Sequence, residues 1–592
     1  MKFIRTLYLA TALSVAPMWL SAQQTAGDNY FLHTIAKGQS IYSIAIMYDV
    51  STDDIIQLNP HSRSKIKAGD TLKIPQKKSA TGQVFHTIKA GETLYKLTKQ
   101  YGVSANRILL ANPGLTSKAF RIGQVILIPS KQVAAKGDTT QPVVQEENKT
   151  VPEPKKPKYR DMHKIQRRET VYSISRMYGL TEDELIAANP EIKNKKKLKR
   201  GKFLVIPFPK AKKEEAKKEE MKDTPKSNEE LINENKVAVK DMKTIKAAVM
   251  LPFAEQPRMV EYYEGFLMAA DSLKRRGVSL DLYTYDTGNK ATSIQPLLNK
   301  PEMKEMNIIF GPVHPNHTQA LSEFAKKHNI RLVIPFSSKD TKVFTNPAIY
   351  QINTPQSYLY SEVYEHFTRK FTKANVIFID VADGNKEKVE FIRGLKEELN
   401  NKQIKHQTIN QDQLIPEQLK ARIDSTMENV FIPTTGTNIA LIRILPQLIV
   451  TVRENPNTSI KLFGYPEWQV YTDDHLAKFY ELDTYFYSSF YTNNLFPAAV
   501  NFSQKYRHWY SKEMSNTFPR FGMLGFDTGY YFLNALARYG NHMEESLEKI
   551  SVTPIQTGFK FERVNNWGGF INKKVFFVNF SKNFELIKLD FE

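Results

Sequence analysis

The sequence predicts several domains in one chain: three small βααβ units, then a bilobed α/β domain with mainly parallel sheets. Three observations lead there. A pattern opening on His recurs three times in the first third of the chain. From Lys246 onward, short apolar runs alternate with amphipathic helical stretches. The length, 592 residues, calls for three to six units at roughly 100–200 residues each. The divisions follow as a signal peptide 1–22, a unit at 31–76, a second at 84–130, a linker at 131–159, a third unit at 160–208, a charged linker at 209–244 and the large domain at 245–592.

The leader comes first. Lys2 and Arg5 precede an apolar run from Leu7 to Leu20, followed by Ser21-Ala22-Gln23. A basic start, an uncharged apolar stretch and a small residue before a polar segment describe a secretory signal cut after Ala22. No later segment reaches the ~18 apolar residues of a membrane span, so the expectation is an exported, periplasmic protein that is not integral to a membrane. Cysteine is absent, which excludes disulfides, Cys-ligated metals and thiol nucleophiles. The net charge is +21, and residues 23–209 hold 31 Lys and Arg against 16 Asp and Glu. Export removes nucleic acid as the anionic partner and leaves envelope polymers.

The repeats open at His33, His86 and His163. A hydroxyl residue follows at Ser40, Thr93 or Thr170, a tyrosine at Tyr48, Tyr101 or Tyr178, and an Asn-Pro pair at Asn59, Asn112 or Asn189. Each unit closes with a glycine (Gly69, Gly123, Gly201) and a short strand ending in proline. The hydroxyls suit helix N-caps. Ile41, Ile44, Ala45 and Tyr48 then trace a buried helical stripe, which Leu94, Leu97 and Tyr101 repeat. Ser51, Ser104 and Thr181 cap a second helix, with Asp54 and Glu184 completing capping boxes.

These segments resemble the LysM domain, a module that binds N-acetylglucosamine-containing glycans such as peptidoglycan. The resemblance implies a shallow sugar groove between the loop opening the first helix and the loop after the second. Its first side is Gly38, Gln39, Ser40 and Ile41, then Gly91, Glu92, Thr93 and Leu94, then Glu169 and Thr170. Its second side begins at Asn59, Asn112 and Asn189. Arg168 replaces the loop glycine in the third unit. Helix and turn capping is the plainer role of the same Ser, Thr and Asn residues.

The second linker centres on alternating Lys and Glu blocks at 212–220, a solvated helix or coil. Beyond it, near-continuous apolar strands are expected at 247–253, 308–311, 332–335, 376–380, 429–433 and 460–464. Such strands are buried on both faces, as in a parallel sheet. Helices are expected between them at 258–276, 315–329, 357–372, 386–401 and 438–453. About 350 residues exceed one core, so two lobes are expected.

The order of Tyr263-Glu264-Gly265-Phe266, the 280–287 strand, Ile309-Phe310-Gly311-Pro312 and the 330–338 strand resembles a type I periplasmic binding protein of the branched-chain amino-acid-binding class. That resemblance implies a ligand between lobes, its carboxylate held by hydroxyls and helix amides on one lobe and its ammonium by an acid on the other. The matching positions are His314, Asn316, Ser337 and Ser338 on the first lobe, and Thr434, Thr435 and Glu467 on the second. The family's Tyr-Gly after the fourth strand is replaced by Asp383-Gly384. The tail from Asn565 is expected to return to the lobe junction.

Peptidoglycan hydrolases also carry LysM units and form the competing class. No complete catalytic set is legible: His314-Pro-Asn-His317 is an isolated metal-like pair, and Ser62-Arg-Ser-Lys65 lacks companion motifs. No metal and no cofactor is called for. The expected function is non-catalytic peptidoglycan binding joined to sensing or uptake of an amino-acid-like solute or short peptide. The alternative is an interaction role, in which the bilobed domain meets envelope proteins, a cell-wall synthase or a transporter permease.

Overall fold

A computed structural model describes residues 29–36, 39–63, 66–76, 82–130, 161–165, 169–178, 180, 182–192, 198, 201–207, 226–235, 242–492 and 496–591. The signal segment, the 131–159 linker, the charged block, Gly38, Arg168 and Thr181 lie outside the described residues. The chain divides into two compact units. One contains the third repeat; the other contains the first two repeats and everything from Ser227.

Each repeat is a two-stranded antiparallel ribbon carrying two short helices. The ribbons pair β1 (Tyr30–Thr34) with β2 (Thr71–Pro75), β3 (Val84–Thr87) with β4 (Val125–Ile128), and β5 (Asp161–Lys164) with β6 (Phe203–Ile206). The hydroxyl residues do cap: Ser40 accepts from the Ser43 amide, Thr93 from Lys96 and Thr170 from Ser173. Ser51 and Asp54 close a reciprocal capping box on the second helix of the first repeat. Gly69, Gly123 and Gly201 have φ of 91°, 83° and 87°, the left-handed region that side chains disfavour. There each glycine amide donates to the carbonyl of Ile35, Ile88 or Ile165, turning the chain back onto its first strand.

The large domain has two lobes, each a seven-stranded sheet. In the first, β7 (Ile245–Leu251), β8 (Leu280–Asp286), β9 (Ile308–Phe310), β10 (Arg331–Ile334) and β11 (Ile349–Gln351) are parallel. The second repeats this with β12 (Ala374–Asp380), β13 (His406–Asn410), β14 (Glu428–Pro433), β15 (Ile460–Gly464) and β16 (Thr484–Ser488). Both have the order second-first-third-fourth-fifth, a doubly wound arrangement whose ligand crevice lies outside the strand C-termini. The tail then serves both lobes. β17 (Phe561–Arg563) and β18 (Phe570–Asn572) extend the first sheet beside β11, while β19 (Phe576–Phe580) and β20 (Leu586–Asp590) close the second beside β16. The tail therefore crosses the lobe junction rather than merely reaching it.

Helix Phe521–Tyr539 packs along helix Pro257–Lys274 on the first lobe. The backbones touch: a Cβ at Gly265 would sit 1.8 Å from the Gly522 carbonyl oxygen, and one at Gly525 1.8 Å from that of Tyr262. From that helix Asp527, fully enclosed, accepts the amides of Ile555, Gln556 and Thr557 at 2.7–2.8 Å. Burial pushes its carboxyl up to about 6, against the pull of those three amides.

The first two repeats are not loosely tethered. The tip of the β17–β18 hairpin reaches between them. Trp567, 5% exposed, lies 5.8 Å from the Tyr48 ring and 5.1 Å from that of Phe85. Asn566 donates to the Val125 carbonyl at 2.9 Å and accepts from Gln124 Nε2 at 3.0 Å, and its own carbonyl accepts the Gly114 amide at 2.8 Å. The core of the first repeat thus merges with that of the first lobe.

Two outcomes are expected. Trp567→Ala should destabilise the large unit by about 3–5 kcal/mol and speed amide exchange in the first two repeats, read by exchange mass spectrometry. For Asp527 the folded value lies above the unfolded one. Its contribution is therefore complete below about pH 4 and lost as pH rises through about 6. Melting curves of Asp527→Asn should show a shallower decline between these pH values than the unsubstituted chain.

Candidate functional site

In the repeats, the loop opening the first helix is tied down from within. His33 Nε2 bonds Gln39 Oε1 at 2.8 Å, while its Nδ1 meets the Tyr48 hydroxyl at 2.7 Å. His86 repeats this with Glu92 at 2.8 Å and Tyr101 at 2.9 Å, and His163 with Glu169 at 2.8 Å and Tyr178 at 3.0 Å. Burial lowers the His33 pKa, opposed by its bond to Gln39. The fixed spacing of His and Tyr was visible in the sequence. Its purpose, an imidazole bridging a loop to the end of the first helix, was not.

Asn59, Asn112 and Asn189 turn inward, at 3%, 0% and 1% exposure. Each donates to two carbonyls and accepts one amide, as Asn112 does with Ile108, Leu127 and the Leu127 amide at 2.6–2.8 Å. Asn59 and Asn189 do the same with the matching residues. These side chains weld the second helix to the last strand, and in the second repeat the loop that begins there gives its Gly114 amide to the Asn566 carbonyl. Of the expected groove residues, Ser40, Thr93 and Thr170 are engaged as caps, and Leu94 is buried. What the sequence reading overlooked is an aromatic one step inside the first helix. Tyr42 and Tyr172 are 67% and 55% exposed, and Tyr95 occupies the same place in the second repeat. The signal was the identical offset from each opening His.

In the large domain the seven expected ligand residues are dispersed and mostly partnered. His314 Nε2 meets Glu255 at 2.7 Å, and Asn316 donates to the Lys290 carbonyl. His317 Nε2 is held by the Thr292 carbonyl at 2.7 Å, so the His pair has separate partners. Ser337 and Ser338 are half-buried just beyond β10. On the second lobe, Thr435 and Thr437 donate to Asp383 at 2.9 and 2.6 Å, and Thr434 donates to Asp380 at 3.3 Å. Burial alone would raise the Asp383 carboxyl, but the donors Thr437, Asn385 N–H and Thr435 outweigh it and hold it below the ordinary range. The crevice of that lobe, where β12 and β14 part, therefore contains the chain's own carboxylate at the cap of helix Asn438–Glu454.

Glu467 already has a cation. Lys388 Nζ lies 2.8 Å from its Oε1, with the lysine side chain only 5% exposed, and also 4.9 Å from the Tyr465 ring centre. The Oε1 side of Glu467 is thus taken by a lysine of the same lobe, while its Oε2 is buried with no hydrogen-bond partner among the described residues.

A cleft of about 280 Å³ opens beyond the C-terminal ends of the first-lobe strands. Val313, Phe336 and Ile352 from those strand ends line it, with Phe490 from the segment that leaves β16 and Phe521 at the start of helix Phe521–Tyr539. Phe336 and Phe521 stack at 5.7 Å, and the Arg258 guanidinium lies 5.6 Å from the Phe521 ring centre. Arg258 is the charged side chain of this lining; Asn353, Ser489 and Thr557 add polar edges. His314 and Ser337 stand beside the lining residues Val313 and Phe336.

Comparison with known proteins matches the family model described as LysM domain to residues 33–75, 86–129 and 163–207. The three repeats are LysM domains. Curated relatives include the cell wall-binding protein YocH of Bacillus subtilis, 31% identical over 103 residues, covering 17% of this chain and 35% of that protein. The putative sporulation-specific glycosylase YdhD of the same organism is 31% identical over 100 residues, covering 17% and 22%. The probable autolysin SsaALP of Staphylococcus aureus is 28% identical over 135 residues, covering 21% and 49%. The chain thus spans between a fifth and a half of the length of these relatives. Among solved structures, a putative branched-chain amino acid ABC transporter protein of Rhodospirillum rubrum is similar at 12% identity and TM-score 0.42, covering 58% of this chain and all of that one. An ABC transporter substrate-binding protein of Desulfitobacterium hafniense in complex with Leu gives 11% and 0.35 over the same share.

Glu467→Gln tests the Lys388 pair. It should lower the unliganded melting point of the large domain, by about 3 kcal/mol of stability, because a buried ammonium loses its counter-charge. A ligand-holding acid facing open solvent would leave that melting point unchanged.

Proposed function

We propose that this chain is an exported, non-catalytic protein bound to peptidoglycan through its LysM domains, with the bilobed domain serving as a sensor of a small solute. The LysM assignment supports the wall contact, and the relatives named for cell-wall binding and autolysis share only that part of the chain. Among the described residues, no helix is long and apolar enough to cross a membrane. The observation that carries the solute reading is the cleft at the first-lobe strand ends, apolar on most sides with one guanidinium at its edge. Such a lining favours an apolar body ending in a carboxylate. It offers no acid for an amino acid's ammonium, since Glu467 is paired with Lys388. Sensing fits better than shuttling, because the first two LysM domains are packed on the lobe itself.

A second reading has its own support. Thr434, Thr435 and Glu467 are engaged within the second lobe, so that lobe brings few free polar groups to a ligand. This favours an interaction role with envelope proteins and no small molecule.

A thermal-shift screen separates the two. An apolar carboxylate at 100 times its dissociation constant should stabilise the domain by about 2.7 kcal/mol, and Arg258→Gln should remove the shift. No shift from carboxylates, amino acids or wall peptides favours the interaction role. For the wall contact, sedimentation with insoluble peptidoglycan should weaken in part as salt rises, through screening of the basic excess. Complete release at moderate salt would remove the sugar-groove reading.

A further inference from the structure

The helix Asn228–Glu234 follows the charged linker and sits on the second LysM domain. Ser227 and Glu230 close a reciprocal capping box at its start, which fixes where the helix begins. Asn228 Oδ1 accepts the backbone N–H of Leu94 at 2.7 Å. Leu231 and Ile232, each 9% exposed, join the domain's own core with Leu94, Leu97 and Ile108, a cluster against which Tyr95 and Leu109 pack. Leu94 ends the loop that the LysM resemblance places against sugar.

The other two LysM domains serve as internal controls. Tyr42, Tyr95 and Tyr172 stand at one equivalent position, and Tyr95, packed against this cluster, is half-buried where Tyr42 and Tyr172 are 67% and 55% exposed. The amides equivalent to that of Leu94, on Ile41 and Val171, meet no acceptor among the described residues, as first-turn helix amides commonly do not. One domain of three thus has its helix-start amide taken by a segment of the same chain, and its aromatic packed against a cluster which that segment completes. The contact has the form of a helix laying an apolar pair into a groove, with one polar anchor at its end.

We propose that the 227–235 segment is a built-in occupant of the sugar face of the second LysM domain, which wall glycan must displace to bind there. The proposal rests on the peptidoglycan reading above. On it, the third domain makes the first contact with the wall. The second adds its affinity only in the fraction of molecules whose helix has lifted, which weakens its apparent binding by that fraction. A strand of glycan held by the third domain raises the local sugar concentration and favours the exchange.

The test uses the full chain on insoluble peptidoglycan, with binding isotherms and amide exchange at Leu94 and Tyr95 as readouts. Leu231→Asp combined with Ile232→Asp should expel the helix, speed exchange at both amides, and tighten binding about fivefold or more. Faster exchange with unchanged or weaker binding overturns the proposal, making the helix a cover for the apolar face alone. If the unsubstituted chain also fails to bind, the peptidoglycan reading fails and the proposal falls with it, an outcome its isotherm distinguishes. Should the double variant misfold, Asn228→Ala decides, since it releases only the Leu94 amide. A rise of about twofold supports displacement, and no change overturns it.

Discussion

The hairpin tip at Asn566 and Trp567 is the contact on which the arrangement of the large unit depends. Asn566 satisfies one carbonyl, one side-chain amide and one backbone amide of the second LysM domain, and Trp567 fills the apolar gap between the first and second. Small domains of some 45 residues have little core of their own. The indole completes two of them at once. The strand that leaves this tip, β18, is hydrogen-bonded to β11 in the first lobe, and β19, four residues after it, lies against β16 in the second. A single stretch of chain therefore links two wall-binding modules, one lobe and the other lobe.

The two lobes share a strand order but differ in what stands at their strand ends. On the first, aromatic and aliphatic side chains leave a cleft. On the second, Asp383 gathers the hydroxyls and Glu467 takes Lys388, so charges that could meet a ligand meet each other. A buried ion pair of this kind resists removal of either partner more than it adds to stability.

Much of this was legible in the sequence. Runs such as 376–380 and 429–433 are mostly apolar because they are buried on both faces, and each appears as a strand within two residues of its expected ends. The capping hydroxyls and the closing glycines were equally plain, since local backbone geometry demands those residue types. Strand β13, His406–Asn410, escaped notice because it lies at a sheet edge with mixed polar residues. Helix Asn228–Glu234 is two turns long, too short for periodicity to declare it beside a charged run. The partners of the site residues were less legible. Asn112 and Glu467 are polar residues at turn ends, which looks the same in sequence whether the partner is a ligand, a neighbouring carbonyl or a lysine brought from 79 positions away.

The join between Asn566 and Val125 spans 441 positions. A chain synthesised from its N-terminal end contains the first two LysM domains long before the hairpin is made. Throughout that interval Tyr48 and Phe85 have no indole beside them, and β11 and β16, once made, each lack one of their two neighbouring strands. Open sheet edges and bare aromatic faces are what holding chaperones and quality-control proteases recognise. The late hairpin makes completion of the whole chain, rather than synthesis of any one domain, the event that covers these surfaces.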